Sequence, residues 1–245
     1  METVTSSPPA ARRSIAQRIA HITGTALLVV GAGVLLWTLV VWQWNDPFTS
    51  LYTRWEQRQL STTYERVARE YKPARPLPVA ATPRDSAAAV ARDARRFRSN
   101  AATGAPLGRL VVPRLDLDIV MVNGTDTDTL KKGPGRDGRT FMPGEGKLVY
   151  IAGHRTTYLA PLSAIDTMKP GDRVTLKMPY GTFEYKVTGH SIVDAHDLSV
   201  LESRGREVVA LQACHPRFFA SQRYIVWAKP VRVSPTVGKP YRPTA

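Results

Sequence analysis

The chain contains a single cysteine, Cys214, in the segment ALQACHPRFFASQR. A cysteine with no partner in its own chain is a buried bystander, half of an intermolecular bridge, or a reactive thiol. The third case needs helpers. Arg223 stands nine residues further on, at the start of the run RYIVWAKPV. VVALQAC and RYIVWAKPV both read as strands joined by a short loop. If they pair as antiparallel neighbours, Cys214 and Arg223 share one rim. A cation there favours the thiolate and can hold the oxyanion of an acyl carbon turning tetrahedral. The alternative is an ordinary surface arginine of a strand. A thiolate nucleophile also uses an imidazole as acid and base. His215 is adjacent to Cys214, so strand alternation sends the two side chains to opposite faces. His190 precedes the turn-rich SIVDAHDLS and His196 lies within it. His154 ends LVYIAGH, where Gly153 lets the backbone turn and the small Ala152 and Gly153 leave room for another group. His154 has the strongest local case; the other three, and no role at all, stay open.

These residues need a compartment and a scaffold. Ile22 to Asn45 carries no charged residue, and about 20 apolar residues span a bilayer core. Trp37, Trp42 and Trp44 sit where an interfacial aromatic belt belongs. Arg12, Arg13 and Arg18 precede the span, and the next basic residue is Arg54. The positive-inside rule then puts residues 1–21 in the cytoplasm and everything after the span outside. This predicts a single-pass protein of the cell membrane with an extracytoplasmic main domain. A cleaved signal peptide would end in a small-residue site, which WTLVVWQWNDPF lacks. Outside the cytoplasm, disulfides are common, so one unpaired cysteine is the more informative.

Residues 46–104 read as a stalk. Leu51, Trp55, Tyr64, Val67 and Tyr71 recur at helical spacing and predict a helix over about 49–71. KPARPLPVAATP breaks it. Thr82, Pro83 and Asp85 then predict the cap and first turn of a second helix, continuing to Arg98. A spacer is the default reading; packing onto the following domain is the alternative.

From Leu107 short β-rich runs alternate with Gly, Pro and Asp turns, and Pro179-Tyr180-Gly181 marks a hairpin. The pattern predicts an all-β barrel or sandwich over residues 105–233, with one short helix at Ala160–Thr167. The Pro-rich residues 234–245 read as a disordered tail. The net charge of +14 is spread along the chain. A nucleic-acid binder would carry a dense basic stripe or a known motif; neither is present, so proximity to an anionic membrane or wall accounts for the charge. No Cys/His cluster has metal-ligand spacing, and no cofactor is implied.

Several segments together resemble the sortases, membrane-anchored cysteine transpeptidases of Gram-positive bacteria. The resemblance runs over roughly residues 107–232. It includes GRLVVPRLDLDIVMVNGTD, the LKKGPG run, PGEGKLVYIAGHR and, about sixty residues after its histidine, ALQACHPRFFASQRYIVWAKPV. GHRTTY and the single anchor look most like the actinobacterial class E type. The resemblance implies an eight-stranded sortase-type β-barrel. It implies Cys214 as nucleophile, His154 as proton donor and acceptor, and Arg223 as the cation that orients substrate and stabilises the oxyanion. It further implies secreted protein substrates with an LPXTG- or LAXTG-like C-terminal sorting signal, and a peptidoglycan-precursor amine as acceptor. Two features depart from the family. Ala210-Leu211-Gln212-Ala213 stands where Thr-Leu-Xaa-Thr is usual, so a hydroxyl beside the nucleophile is missing. Leu159 stands where a glycine is expected. Competing readings are another extracytoplasmic cysteine peptidase or acyltransferase, such as an L,D-transpeptidase, and a non-catalytic β-domain that binds envelope components.

Overall fold

The computed structural model describes residues 15–44, 47–78, 80–203 and 205–243. Arg12 and Arg13 of the basic flank, residues 244–245 of the tail, and the side chains of Trp42 and Trp44 lie outside the described residues. The chain divides into two units, Met1–Trp44 and Asn45–Ala245.

In the first unit, helix α1 (Ile15–Trp44) contains 26 residues, Ile15–Val40, long and apolar enough to cross a bilayer. It starts earlier than the uncharged run because Arg18 and His21 continue the same helical turns. Thr25 and Thr38 return their hydroxyls to the carbonyls of His21 and Val34, both at 2.9 Å, so these polar side chains are satisfied within the helix. The helix is consistent with a single-pass membrane anchor.

The second unit is built on a closed barrel of eight strands in the order β1-β2-β3-β4-β7-β8-β6-β5. These are β1 (Pro106–Val112), β2 (Leu117–Asn123), β3 (Gly135–Arg136), β4 (Leu148–Ala152), β5 (Arg173–Met178), β6 (Gly181–Asp194), β7 (Val208–His215) and β8 (Gln222–Pro235). β2 pairs with β3 and β4 with β7 in parallel; every other pairing is antiparallel. The predicted hairpin at Pro179-Tyr180-Gly181 joins β5 to β6. Alternation fills the interior with Leu110, Met121, Ile151, Leu176, Phe183, Leu211 and Val226. Gly135, from LKKGPG, has a packing reason: a Cβ there would lie 1.9 Å from the Gly124 carbonyl oxygen. The predicted helix at Ala160–Thr167 is reduced to turns and one 3-10 turn, Ile165–Thr167. Ala160 itself has φ +42°, which an α-helix cannot accommodate.

The stretch 46–104 is not a free spacer. It forms α2 (Pro47–Arg69) and α3 (Pro83–Asn100), both inside the second compact unit. β2 explains α2. Its Ile119 and Met121 face the core while Val120 and Val122 face outward, so neither face is polar and the outer one needs a cover. Leu60 and Tyr64 of α2 supply it. Gln57 fastens the contact, taking the Val120 N–H at 2.9 Å and donating to the carbonyls of Val120 (2.9 Å) and Lys132 (2.7 Å). α3 starts at the predicted cap, with Thr82 and Asp85 in a reciprocal capping box and Pro83 in the first turn. It buries Val90 and Ala94 in the barrel core. The tail is also tied down. Val233 and Tyr241 form a β-bridge, and the Lys239 N–H donates to Ser86 Oγ at 2.8 Å. A single aromatic, Tyr241, offsets the polar composition that suggested disorder.

Candidate active site

β7 and β8 pair as expected, and Cys214 and Arg223 are direct partners across the ladder. Side chains on β7 alternate strictly. Leu211 and Ala213 enter the barrel core, while Gln212 and Cys214 face outward. The neighbouring β4 places Tyr150 and Ala152 on the same outer face, and the chain continues through Gly153 to His154. Tyr150, Ala152, Gln212, Cys214, His154 and Arg223 thus border one cavity of about 260 Å³. The apolar side chains of Leu198, Val200 and Leu201 close another side. These three come from the segment around the 3-10 turn Leu198–Leu201.

The four histidine candidates separate cleanly. His154 borders the cavity with Cys214. His215 lies on the other face, with Nδ1 2.9 Å from Arg155 Nη1. His190 is stacked on Tyr224 with ring centroids 4.9 Å apart. His196 is exposed and bonded to its neighbour Asp194. The His154 ring lies 5.0 Å from that of Tyr158, and its Nε2 is buried with no hydrogen-bond partner among the described residues. Burial pushes its imidazole below the ordinary value of 6.5, so the neutral ring is favoured at neutral pH. Arg223 donates from Nη1 to the carbonyls of Ala220 (2.7 Å) and Gln222 (3.0 Å). Those bonds leave the guanidinium without a carboxylate partner among the described residues. Its positive charge is therefore available to an anion in the cavity. Among the described residues no group of three or more His, Cys, Asp and Glu is placed to hold a metal ion.

A model of the sortase domain matches residues 110–231. Sortase D of Bacillus subtilis (strain 168) is 32% identical over 133 residues, 53% of this chain and 66% of that protein. The chain thus spans just under two thirds of that relative's length. The barrel is a sortase domain, and the chain belongs to the sortase family. The solved structure of Clostridium perfringens sortase D5 shares the fold at a TM-score of 0.58 and 19% identity, covering 72% of this chain and 98% of that one. Sortase E1 of Streptomyces coelicolor, solved with a tripeptide in its active site, aligns at a TM-score of 0.51 and 27% identity. It covers 54% of this chain and 91% of that one.

Within this sortase domain the two departures from the family pattern have definite places. Ala213 is fully buried and points into the barrel, away from Cys214. A hydroxyl at that position would enter the core rather than the cavity. Leu159 has φ +64°, between Tyr158 at +51° and Ala160 at +42°. A glycine is favoured in that left-handed region, and an L side chain there costs roughly 1–2 kcal/mol.

Four residues at or beside the cavity were not read from sequence. Tyr150 is on the cavity floor; burial raises its phenol above the ordinary value, so it remains a hydroxyl. The spacing Tyr150, Ala152, His154 is the period-2 signal that could have found it. Asp137 and Arg139 border the cavity as a bidentate pair at 2.9 and 2.7 Å. Burial pushes the Asp137 carboxyl up, but the Arg139 hydrogen bonds outweigh it and hold the group below the usual range. Arg155, next to His154, is buried against the strand that carries Cys214.

Proposed function

We propose that this protein is a membrane-anchored cysteine transpeptidase acting on secreted proteins that carry an LPXTG- or LAXTG-like sorting signal. One observation carries the reading: Cys214 and Arg223 face each other across a ladder at a cavity that also takes in His154, whose Nε2 has no hydrogen-bond partner among the described residues. Family membership and the peptide held in the active site of the S. coelicolor relative support a peptide substrate.

The Cys214 thiolate attacks the threonine carbonyl carbon, forming a C–S bond and a tetrahedral oxyanion. Arg223 stabilises that charge in a site partly shielded from water. The intermediate collapses with cleavage of the Thr–Gly C–N bond, and His154 as imidazolium gives its proton to the departing amine. The cell-wall amine then attacks the thioester carbonyl. His154 takes the proton released, and the C–S bond breaks to return the thiolate. Burial disfavours the imidazolium, so the neutral ring is the favoured form in the free enzyme. An N-terminal anchor with the barrel outside the cytoplasm would hold the enzyme at the surface where substrate and lipid-linked acceptor meet, raising their effective concentration.

The test incubates the full-length protein in detergent or nanodiscs with Leu-Pro and Leu-Ala sorting peptides and a glycine or diamino-acid amine. Mass spectrometry should find an acyl adduct on Cys214 and a ligated product. Hydrolysed peptide alone would indicate a peptidase. No adduct across the panel would refute the reading and favour a non-catalytic envelope-binding domain.

A further inference from the structure

The sheet does not by itself fix the distance between His154 and Cys214. The parallel β4–β7 ladder ends at Ala152 opposite Gln212, and its last bond runs from the Gly153 N–H to the Gln212 carbonyl at 2.9 Å. Both side chains of interest lie past that rung. Beyond it, among the described residues, hydrogen bonds from Arg155 join the two segments. Its side chain is 3% exposed, and Nη1 donates to the Cys214 carbonyl at 3.2 Å. The same Nη1 lies 2.9 Å from His215 Nδ1. Nη2 is held by Asp166 at 2.8 Å, and Nε reaches the Ser163 carbonyl at 3.5 Å. The guanidinium lies 5.9 Å from the centre of the Tyr224 ring. Successive residues of the extended segment point to opposite sides. His154 goes to the cavity, and Arg155 goes beneath the strand end.

We infer that Arg155 is a positioning residue that clamps the His154 loop to the Cys214 backbone and so sets the spacing of the thiol and the imidazole. The inference rests on the transpeptidase reading for its consequence in turnover, but not for its geometry. A planar fork with five donors can grip a carbonyl, a carboxylate and a ring nitrogen together; an ammonium on a flexible stem cannot hold the same plane. Asp166 neutralises the charge and fixes the fork, so the contribution is geometric.

The test uses full-length protein with Arg155→Met, Arg155→Lys and Asp166→Asn, each with and without His154→Gln. The first readout is Cys214 alkylation by iodoacetamide across pH, which needs no peptide substrate. His154→Gln should change the alkylation rate at pH 7 in the parent. It should change it by less than about 2-fold once Arg155 is Met, because the two groups no longer act as a unit. For the sorting peptide, Arg155→Met should lower kcat by about 100-fold with KM within about 3-fold, the signature of misplaced reacting groups. Arg155→Lys should restore part of that loss, and Asp166→Asn should cost several-fold. If Arg155→Met does not fold, Lys and Asn carry the same cycle. Equal effects of His154→Gln in both backgrounds, or none in either, overturn the inference. If the parent turns over no peptide, the transpeptidase reading fails while the alkylation cycle still decides Arg155.

Discussion

The two walls of the cavity are built by different means. On one side, Cys214 and Arg223 face each other on one rung of the β7–β8 ladder, placed by backbone hydrogen bonds that any side chains would make. On the other, His154 begins a loop whose Tyr158, Leu159 and Ala160 all have positive φ. That loop is held by particular side-chain contacts with distant elements. Arg155 reaches the Cys214 carbonyl at 3.2 Å, and Thr49 of α2 accepts the Tyr158 N–H at 3.0 Å. The lesson is that a sheet positions chemistry cheaply and robustly, whereas a loop does so only through named contacts. Substitutions on the ladder side should remove chemistry while leaving geometry. Substitutions on the loop side should remove geometry while leaving the reacting groups present.

The comparison can be broken most forcefully at the proposed nucleophile. Cys214→Ala should reduce peptide turnover by about 10⁴-fold or more and abolish the acyl adduct in mass spectra, with the fold intact by circular dichroism. Residual activity near the parent's would move the chemistry elsewhere. Next, Arg223→Lys keeps a cation on the same rung but loses the fork. It should cost about 10²–10³-fold in kcat with little change in Tm, and a large fall in Tm would show that the ladder depends on that side chain. Ala213→Thr then asks whether the hydroxyl usual before the nucleophile acts in the cavity. Its side chain enters a fully closed core, so it should cost about 1–3 kcal/mol of stability, read as a Tm several degrees lower, without raising kcat. On the loop side, Thr49→Val removes one acceptor. A loss of about 1 kcal/mol in stability, with a several-fold fall in kcat and unchanged thiol alkylation, would sharpen the contrast.

The smallest effect concerns pH. Burial holds the folded His154 below 6.5, so the unfolded chain takes up a proton first as pH falls. The contribution is present above the unfolded value and is lost as pH drops through the folded one. Tm should therefore decline between pH 7 and 5, and the decline should be shallower in His154→Gln. Buried Glu207, whose carboxyl is raised by desolvation, works in the opposite direction in both proteins, so the difference between them isolates the histidine. Identical slopes would mean that the imidazole is not desolvated.

Much of this was legible in the residues, and the exceptions have reasons. The capping box at Thr82 and Asp85, the hairpin at Pro179-Tyr180-Gly181 and the facing of Cys214 and Arg223 are local or nearly so. Hydrogen bonds within a few residues, or one strand register, decide them. The packing of α2 was hidden because its own sequence is mostly polar. The sign lay instead in β2, where Ile119, Val120, Met121 and Val122 leave no wet face. The tail reads as disordered because composition averages over Tyr241, which bridges to Val233.

By itself, then, the sequence determined an apolar N-terminal helix, a strand-rich domain, and a thiol and a cation facing each other across one rung, because alternation and register are properties of the local chain. Only the tertiary structure decided which of four histidines meets that thiol. Only it decided that Ala213 faces the core and not the cavity, and that Arg155 rather than a ladder bond spans the gap past the last rung. Those outcomes depend on where a loop of positive-φ residues is pinned by groups up to 109 positions away in the chain, a distance over which no local pattern carries information.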